Sequence, residues 1–348
     1  MKRLLTWVSG PLLAIAFLWL TFRGADAPEL LTRVRSASVP LLTIYFLSGV
    51  VHLFLRSWRW GTLLDPVRPR HELPLIERMS ATAIGNMALV LPGRVGEVFR
   101  PALLSRRVGL PFGTTLSTVG VERVVLDLMA VLVFGAVGLM LPSRWSGVGA
   151  SSDPEMIALL RSSGVVLLGA SLAVLVAVAT VARGRERLAG VLGARAARSR
   201  SRVAPVIYGW LAALLPGLAA FASRAGLARL AFETLIIWAV IAAGIHAGVV
   251  ACGVSLAPLS SLILLPILAI GIGIPTPGGT GSYHAAMLIG VQGLFGASRE
   301  AAQTAAIVVH AVTLITMIVL GGVFVVRGGL ARPEASLEAV AGTAGGDR

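Results

Sequence analysis

Acids, lysine and cysteine are all scarce in this chain. Of its 348 residues only 16 are Asp or Glu, and charged residues of both signs make up 13%. A soluble domain of this length needs a charged, solvated surface. With 56% hydrophobic residues and a mean hydropathy of +0.86, the composition excludes one. What remains is an all-α polytopic membrane protein. A single cysteine, Cys252, excludes an intrachain disulfide, and its place in an apolar run reads as a small core residue. The basic residues are almost all arginine, and the net charge is +14. In a soluble chain such an excess would suggest nucleic acid. In a membrane chain it marks cytoplasmic loops and anionic head groups, so the expected partners are membrane lipids and not nucleic acid. Enzyme signals are missing too. There is no Walker A loop, no H-E-x-x-H, no G-x-S-x-G and no clustered Cys/His set, and His52, His71 and His246 are scattered. No catalytic residue, metal or cofactor is expected.

What is present is a series of long apolar runs. Those at about 4–22, 39–58, 114–141, 163–182, 230–252 and 301–326 meet the requirement of about 20 residues for a span. The first also has the outline of a signal peptide ending at Ala25-Asp26-Ala27, but its apolar stretch is span-length. Arginine placement orients the chain. With both termini in the cytoplasm of a plasma (inner) membrane, the inner segments carry 23 Lys/Arg and the outer ones six. The inner set takes 56–113 as one cytoplasmic-side segment and 183–202 as a basic loop. The stretch 203–222 reads either as an interfacial helix or as a further span. The tail 331–348 reads as disordered.

Two further apolar stretches are too short to cross and are broken by the same turn. Residues 79–91 run into Pro92-Gly93-Arg94-Val95-Gly96, and 258–274 into Pro277-Gly278-Gly279-Thr280-Gly281. Arginine flanks place the first on the cytoplasmic side, and the second lies outside because the preceding span exits at about 252 and the last returns inward to Arg327. The expected architecture is therefore about six spans plus two oppositely oriented re-entrant hairpins. These form an inverted repeat of about 79–141 and 258–326 within a single membrane domain, 1–330. Transporters place substrate between such repeats, on backbone that lines a cavity.

Charges inside apolar helices need partners or water. Arg123 and Asp127 stand four apart and pair on one face, which leaves Glu122 to meet Arg94 or Arg100 of the first hairpin. A helix starting near Gly96 would aim its positive end into the hairpin mouth, with Asn86 before the turn and Glu97 and Arg100 sharing a face. These seven residues (Asn86, Arg94, Glu97, Arg100, Glu122, Arg123 and Asp127) are the candidate site for a lipid head group. They would equally serve to lock the hairpin to the third span. The second half offers Ser282, Tyr283, His284 and His310, where the histidines read as proton-coupling groups or as buried neutral ones.

The stretch "NMALVLPGRVGEVFRPALLSRRVGLPFGTTLSTVGVERVVLDLM" (86–129) resembles a signature of the lysylphosphatidylglycerol synthase transmembrane, flippase-like family, and "PTPGGTGSYHAA" resembles its second. The resemblance implies a membrane unit that flips an aminoacylated lipid to the outer leaflet. Where the family usually has Glu and Arg, this chain has His284 and His310, a joint loss expected of two groups that pair. The chain as given has no room for the soluble aminoacyl-transferase domain. The expectation is a non-enzymatic lipid flippase for an anionic phospholipid or lipid-linked precursor. The alternative is an accessory subunit for a cytoplasmic lipid-modifying or glycan-building enzyme.

Overall fold

The computed structural model describes residues 2–91, 95–141, 154–199, 201 and 203–329. Pro92, Gly93, Arg94 and the tail lie outside them. No strand occurs among the described residues. In chain order the helices are α1 (Lys2–Phe22), α2 (Ala27–Arg35), α3 (Val39–Leu64), α4 (Leu75–Ala88), α5 (Val95–Val108) and α6 (Phe112–Met140). They continue with α7 (Pro154–Arg183), α8 (Arg185–Arg198), α9 (Ala204–Leu214), α10 (Arg224–Ala251), α11 (Ser261–Gly273), α12 (Ser282–Leu288) and α13 (Arg299–Phe324). Several starts are written locally. The side chains of Asp26, Ser223 and Ser298 accept the orphan amides of Glu29, Gly226 and Ala301 at 3.2, 2.9 and 3.2 Å.

Six helices among the described residues are long and apolar enough to cross a bilayer: α3, α6, Arg161–Arg183, Ala204–Phe221, α10 and Arg299–Gly328. Five coincide with expected spans. The sixth is the ambiguous 203–222 stretch, and the run expected at 4–22 lies within the 21-residue helix α1. The basic segment expected as a loop is instead mostly helix α8. Leu192 is buried and Leu188 packs one turn earlier on the same face, so an apolar stripe underlies the arginines. Helix α8 packs on α9, and the turns at Leu215–Phe221 lie against α6 and α7. Phe221 shares an apolar cluster with Ala182 at the end of α7 and Leu230 at the start of α10. The α8–α9 pair thus leaves from and returns to one end of the molecule.

Four arginines counted as loop charges are buried: Arg56, Arg59, Arg78 and Arg100. Helix α3 runs on to Leu64, so Arg56 and Arg59 belong to its wall and not to a loop.

The short apolar stretches form two helical hairpins, α4–α5 and α11–α12, whose arms pack on one another. In each, a glycine permits close approach. A Cβ on Gly96 would collide with the Gly85 carbonyl, and one on Gly271 would lie 2.6 Å from the Ala286 methyl. The hairpins enter from opposite ends. At the start of α3, the Ser38 amide donates to Ala251 O at 2.8 Å, beside the chain leading into α11. At its other end Arg68 donates to Val108 O at the base of α4–α5. The turn of the second reaches the first at the end of α4, because a Cβ on Gly278 would sit 3.7 Å from Val90 Cα and 3.6 Å from Leu314. Contacts are exchanged reciprocally: α4 packs on α13, and α11 packs on α6.

Candidate functional site

The charged centre is built on a distortion. From Glu122 to Asp127, α6 widens into π-helical turns. In a regular α-helix two residues five apart diverge by about 140°. The wider turn puts both carboxylates in reach of one guanidinium. Arg59 Nη2 donates to Glu122 Oε1 at 3.0 Å and to Asp127 Oδ1 at 2.6 Å. Glu122, wholly buried, also accepts from Arg56 Nε at 3.0 Å and from Arg100 Nη1 at 2.7 Å. Arg100 stacks over the Trp60 ring at 4.1 Å, and Trp60 Nε1 donates to Thr118 at 3.0 Å.

Of the expected first-half residues, the structure joins Glu122 to Arg100 and Arg123 to Asp127, the latter at 3.4 Å. Arg123 Nε stands 3.9 Å from Glu97. Glu97 therefore faces Arg123, while Arg100 turns to Glu122. Arg94, Pro92 and Gly93 lie outside the described residues. Sequence reasoning missed Arg56 and Arg59. Their signal was available: the first lies four residues after His52 and seven after Gly49, a helical continuation of the apolar run before them. With them, four guanidinium groups (Arg56, Arg59, Arg100, Arg123) face three carboxylates (Glu97, Glu122, Asp127). The centre keeps a surplus positive charge.

Beside it lies a cavity of about 280 Å³, between α3, α10, α13 and the two hairpins. This is close to the lower end of small-molecule sites, about 300 Å³. Its walls are mainly apolar, with Leu53, Ile245, Leu268 and Ile272 among them. Arg56, Asn86 and Arg123 line it and also line a small adjoining pocket that reaches Gly96, Glu97 and Arg100. Arg123 is the accessible arginine of the centre, its side chain 34% exposed.

The second hairpin is organised differently. Its turn, Pro277–Gly279, and the residue that caps α12 have Gly278, Gly279 and Gly281 at φ of 60°, 73° and 85°, which side chains other than glycine rarely adopt. Ser282 is engaged within the turn, bonding Thr276 at 2.8 Å and donating to Gly279 O at 3.2 Å. His284 Nδ1 accepts the Gly281 amide at 3.3 Å. The His284 and His310 rings are 4.8 Å apart, and Tyr283 lies 4.9 Å from His310. The two histidines expected to neighbour one another are therefore in contact across the hairpin and α13. Pro277 and the three turn glycines do not line the cavity; they pack the tip against α1, α13 and Val90. Tyr283 does line it.

The description "Lysylphosphatidylglycerol synthase TM region" belongs to a family model that matches residues 7–321. The chain is also similar to glycosyltransferase AglD of Haloferax volcanii, with 27% identity over 92% of this chain and 54% of that protein. It thus spans about half the length of this curated relative. With nearly all the described helices inside the match, the chain is a multi-pass membrane protein that belongs to the lysylphosphatidylglycerol synthase transmembrane-region family.

Proposed function

We propose that this protein moves an anionic phospholipid or lipid-linked precursor between leaflets. The observation that carries this reading is the cavity between the hairpin arms, apolar along most of its wall and arginine-capped at one end. Such a site suits a phosphate at Arg56 and Arg123 with chains lying along apolar side chains. The surplus guanidinium charge favours a net-negative head group. In this reading the two hairpins are re-entrant, one from each face of a plasma membrane. The termini are cytoplasmic, on the side of the arginine-rich helix α8, and the chain is a carrier and not an enzyme. Opposed hairpins that touch at mid-height of α13 leave a route that either face can open.

The test is leaflet exchange of fluorescent phosphatidylglycerol in liposomes holding the purified full chain. Exchange above protein-free liposomes is expected. Arg123→Gln should slow it about tenfold or more, the loss of one charge-assisted hydrogen bond. Background exchange with every anionic lipid would refute transport. A second reading is favoured by the likeness to a protein named a glycosyltransferase that is nearly twice as long. Here the membrane unit would be an accessory that holds lipid for a glycan-building enzyme. It predicts lipid binding without exchange, and co-purification with such an enzyme.

A further inference from the structure

The arginines occupy one end of the cavity, and the other end has a different chemistry. Tyr45, Ser48, His52 and Arg56 all line it from one face of α3. Tyr45 and Arg56 stand eleven positions apart, about 16 Å along a helix. At the Tyr45 end the polar groups are neutral hydroxyls from three elements: Tyr45 and Ser48 on α3, Tyr283 on α12 and Thr313 on α13.

Their proton assignments follow from their partners. Thr313 donates to Val309 O at 2.9 Å, so the Tyr45 hydroxyl, 2.7 Å from Thr313 Oγ1, is the donor in that pair. Ser48 donates to Tyr45 O at 2.6 Å. These hydroxyls therefore present lone pairs to further donors. The Tyr283 hydroxyl, in a residue only 4% exposed, stands against the Tyr45 hydroxyl but makes no hydrogen bond of good geometry. A buried hydroxyl left short of a good hydrogen bond is costly, which marks a place where a ligand group fits.

We propose that this end is a hydroxyl-recognising subsite, and that the lipid held here is a phosphodiester whose phosphate carries a sugar or a ring-sized polyol. The inference rests on the cavity being the lipid site, and it names the class of head group. A phosphate at Arg56 and Arg123 leaves the rest of the head directed along the cavity toward Tyr283. Hydroxyls of a sugar donate to Ser48 and Tyr45 and complete the bonding of Tyr283. An ammonium head has no such place. Among the described residues no Asp or Glu lines the cavity, the charged side chains that do are arginines, and a buried cation needs a paired carboxylate. The aminoacylated lipid suggested by the family description is therefore a poor fit to this chain.

The test measures binding by native mass spectrometry of the full chain in detergent, with four probes of identical acyl chains. Phosphatidylinositol and phosphatidylglycerol carry a charge and hydroxyls, phosphatidylmethanol the same charge without them, and phosphatidylethanolamine an ammonium. Phosphatidylinositol should bind at least about fivefold more tightly than phosphatidylmethanol, the scale of one to two hydrogen bonds. Tyr283→Phe should erase that difference while leaving phosphatidylmethanol unchanged. Arg123→Gln should weaken all three anionic probes alike. Ser48→Ala, which should narrow the same gap, serves if Tyr283→Phe fails to fold. Equal binding of phosphatidylinositol and phosphatidylmethanol, ethanolamine lipid binding as tightly, or no binding of any probe overturns the proposal. Selective binding with no leaflet exchange would instead refute transport alone. Exchange without selectivity would refute this subsite and leave transport standing.

Discussion

Glu122→Gln is the most informative single change. The substitution keeps the shape of the side chain and removes the charge that three buried arginines share. Arg56 and Arg59 retain Asp127, at 3.8 and 2.6 Å. Among the described residues Arg100 keeps no carboxylate: Glu122 is its ion-pair partner, and its Nε and Nη2 already lack hydrogen bonds. A buried cation stranded in this way costs about 3–5 kcal/mol. At about 2–4 °C per kcal/mol for a large domain, the melting temperature in detergent should fall by about 10 °C. Tryptophan fluorescence or size-exclusion after heating reads this directly. Arg123→Gln, at a partly exposed group, should cost about 1 kcal/mol or less. Removing the stranded cation as well, in Glu122→Gln with Arg100→Met, should recover part of the loss. If Glu122→Gln melts with the wild type, or the double variant melts below the single, the charge centre is not the fold's keystone and the reasoning fails.

Two other outcomes follow from the geometry. Cysteines at positions 90 and 278, in a Cys252→Ala background, should cross-link on mild oxidation. The distance of 3.7 Å from a Gly278 Cβ to Val90 Cα lies within disulfide reach, and failure to cross-link in a variant that melts with the wild type, so that the φ of 60° at Gly278 has tolerated the cysteine, would place Gly278 away from Val90. His310→Phe should leave the melting temperature unchanged or higher, because both ring nitrogens are buried without partners and the new ring keeps the packing. A loss of several degrees would mean that the imidazole makes a bond this arrangement lacks.

Much of this molecule was legible in its composition and periodicity. Apolar runs of span length dictate helices because a bilayer leaves backbone amides no other partner. The Pro-Gly-x-x-Gly turns break two runs too short to cross, and both become arms of helical hairpins. The pairing of Arg123 with Asp127 is local, four residues along one helix, so spacing alone finds it. The adjacency of His284 and His310 followed from the family pattern alone.

Other features depend on contacts between residues distant in sequence. Arg56 and Arg59 resemble loop charges until α3 packs beside the widened turn of α6, because one-dimensional charge counts cannot distinguish a solvated arginine from one paired inside. The π-turn itself leaves no mark in the sequence, yet it decides that Glu122 and Asp127 share Arg59. Helix α8 is disguised by its arginines, since its apolar stripe matters only once α9 covers it. Sequence determined that the chain is helical, membrane-spanning and twice interrupted, through local hydrophobicity and turn chemistry. Tertiary packing decided which charges are buried together and where the cavity lies. Those properties depend on which faces meet, and no single segment carries that information.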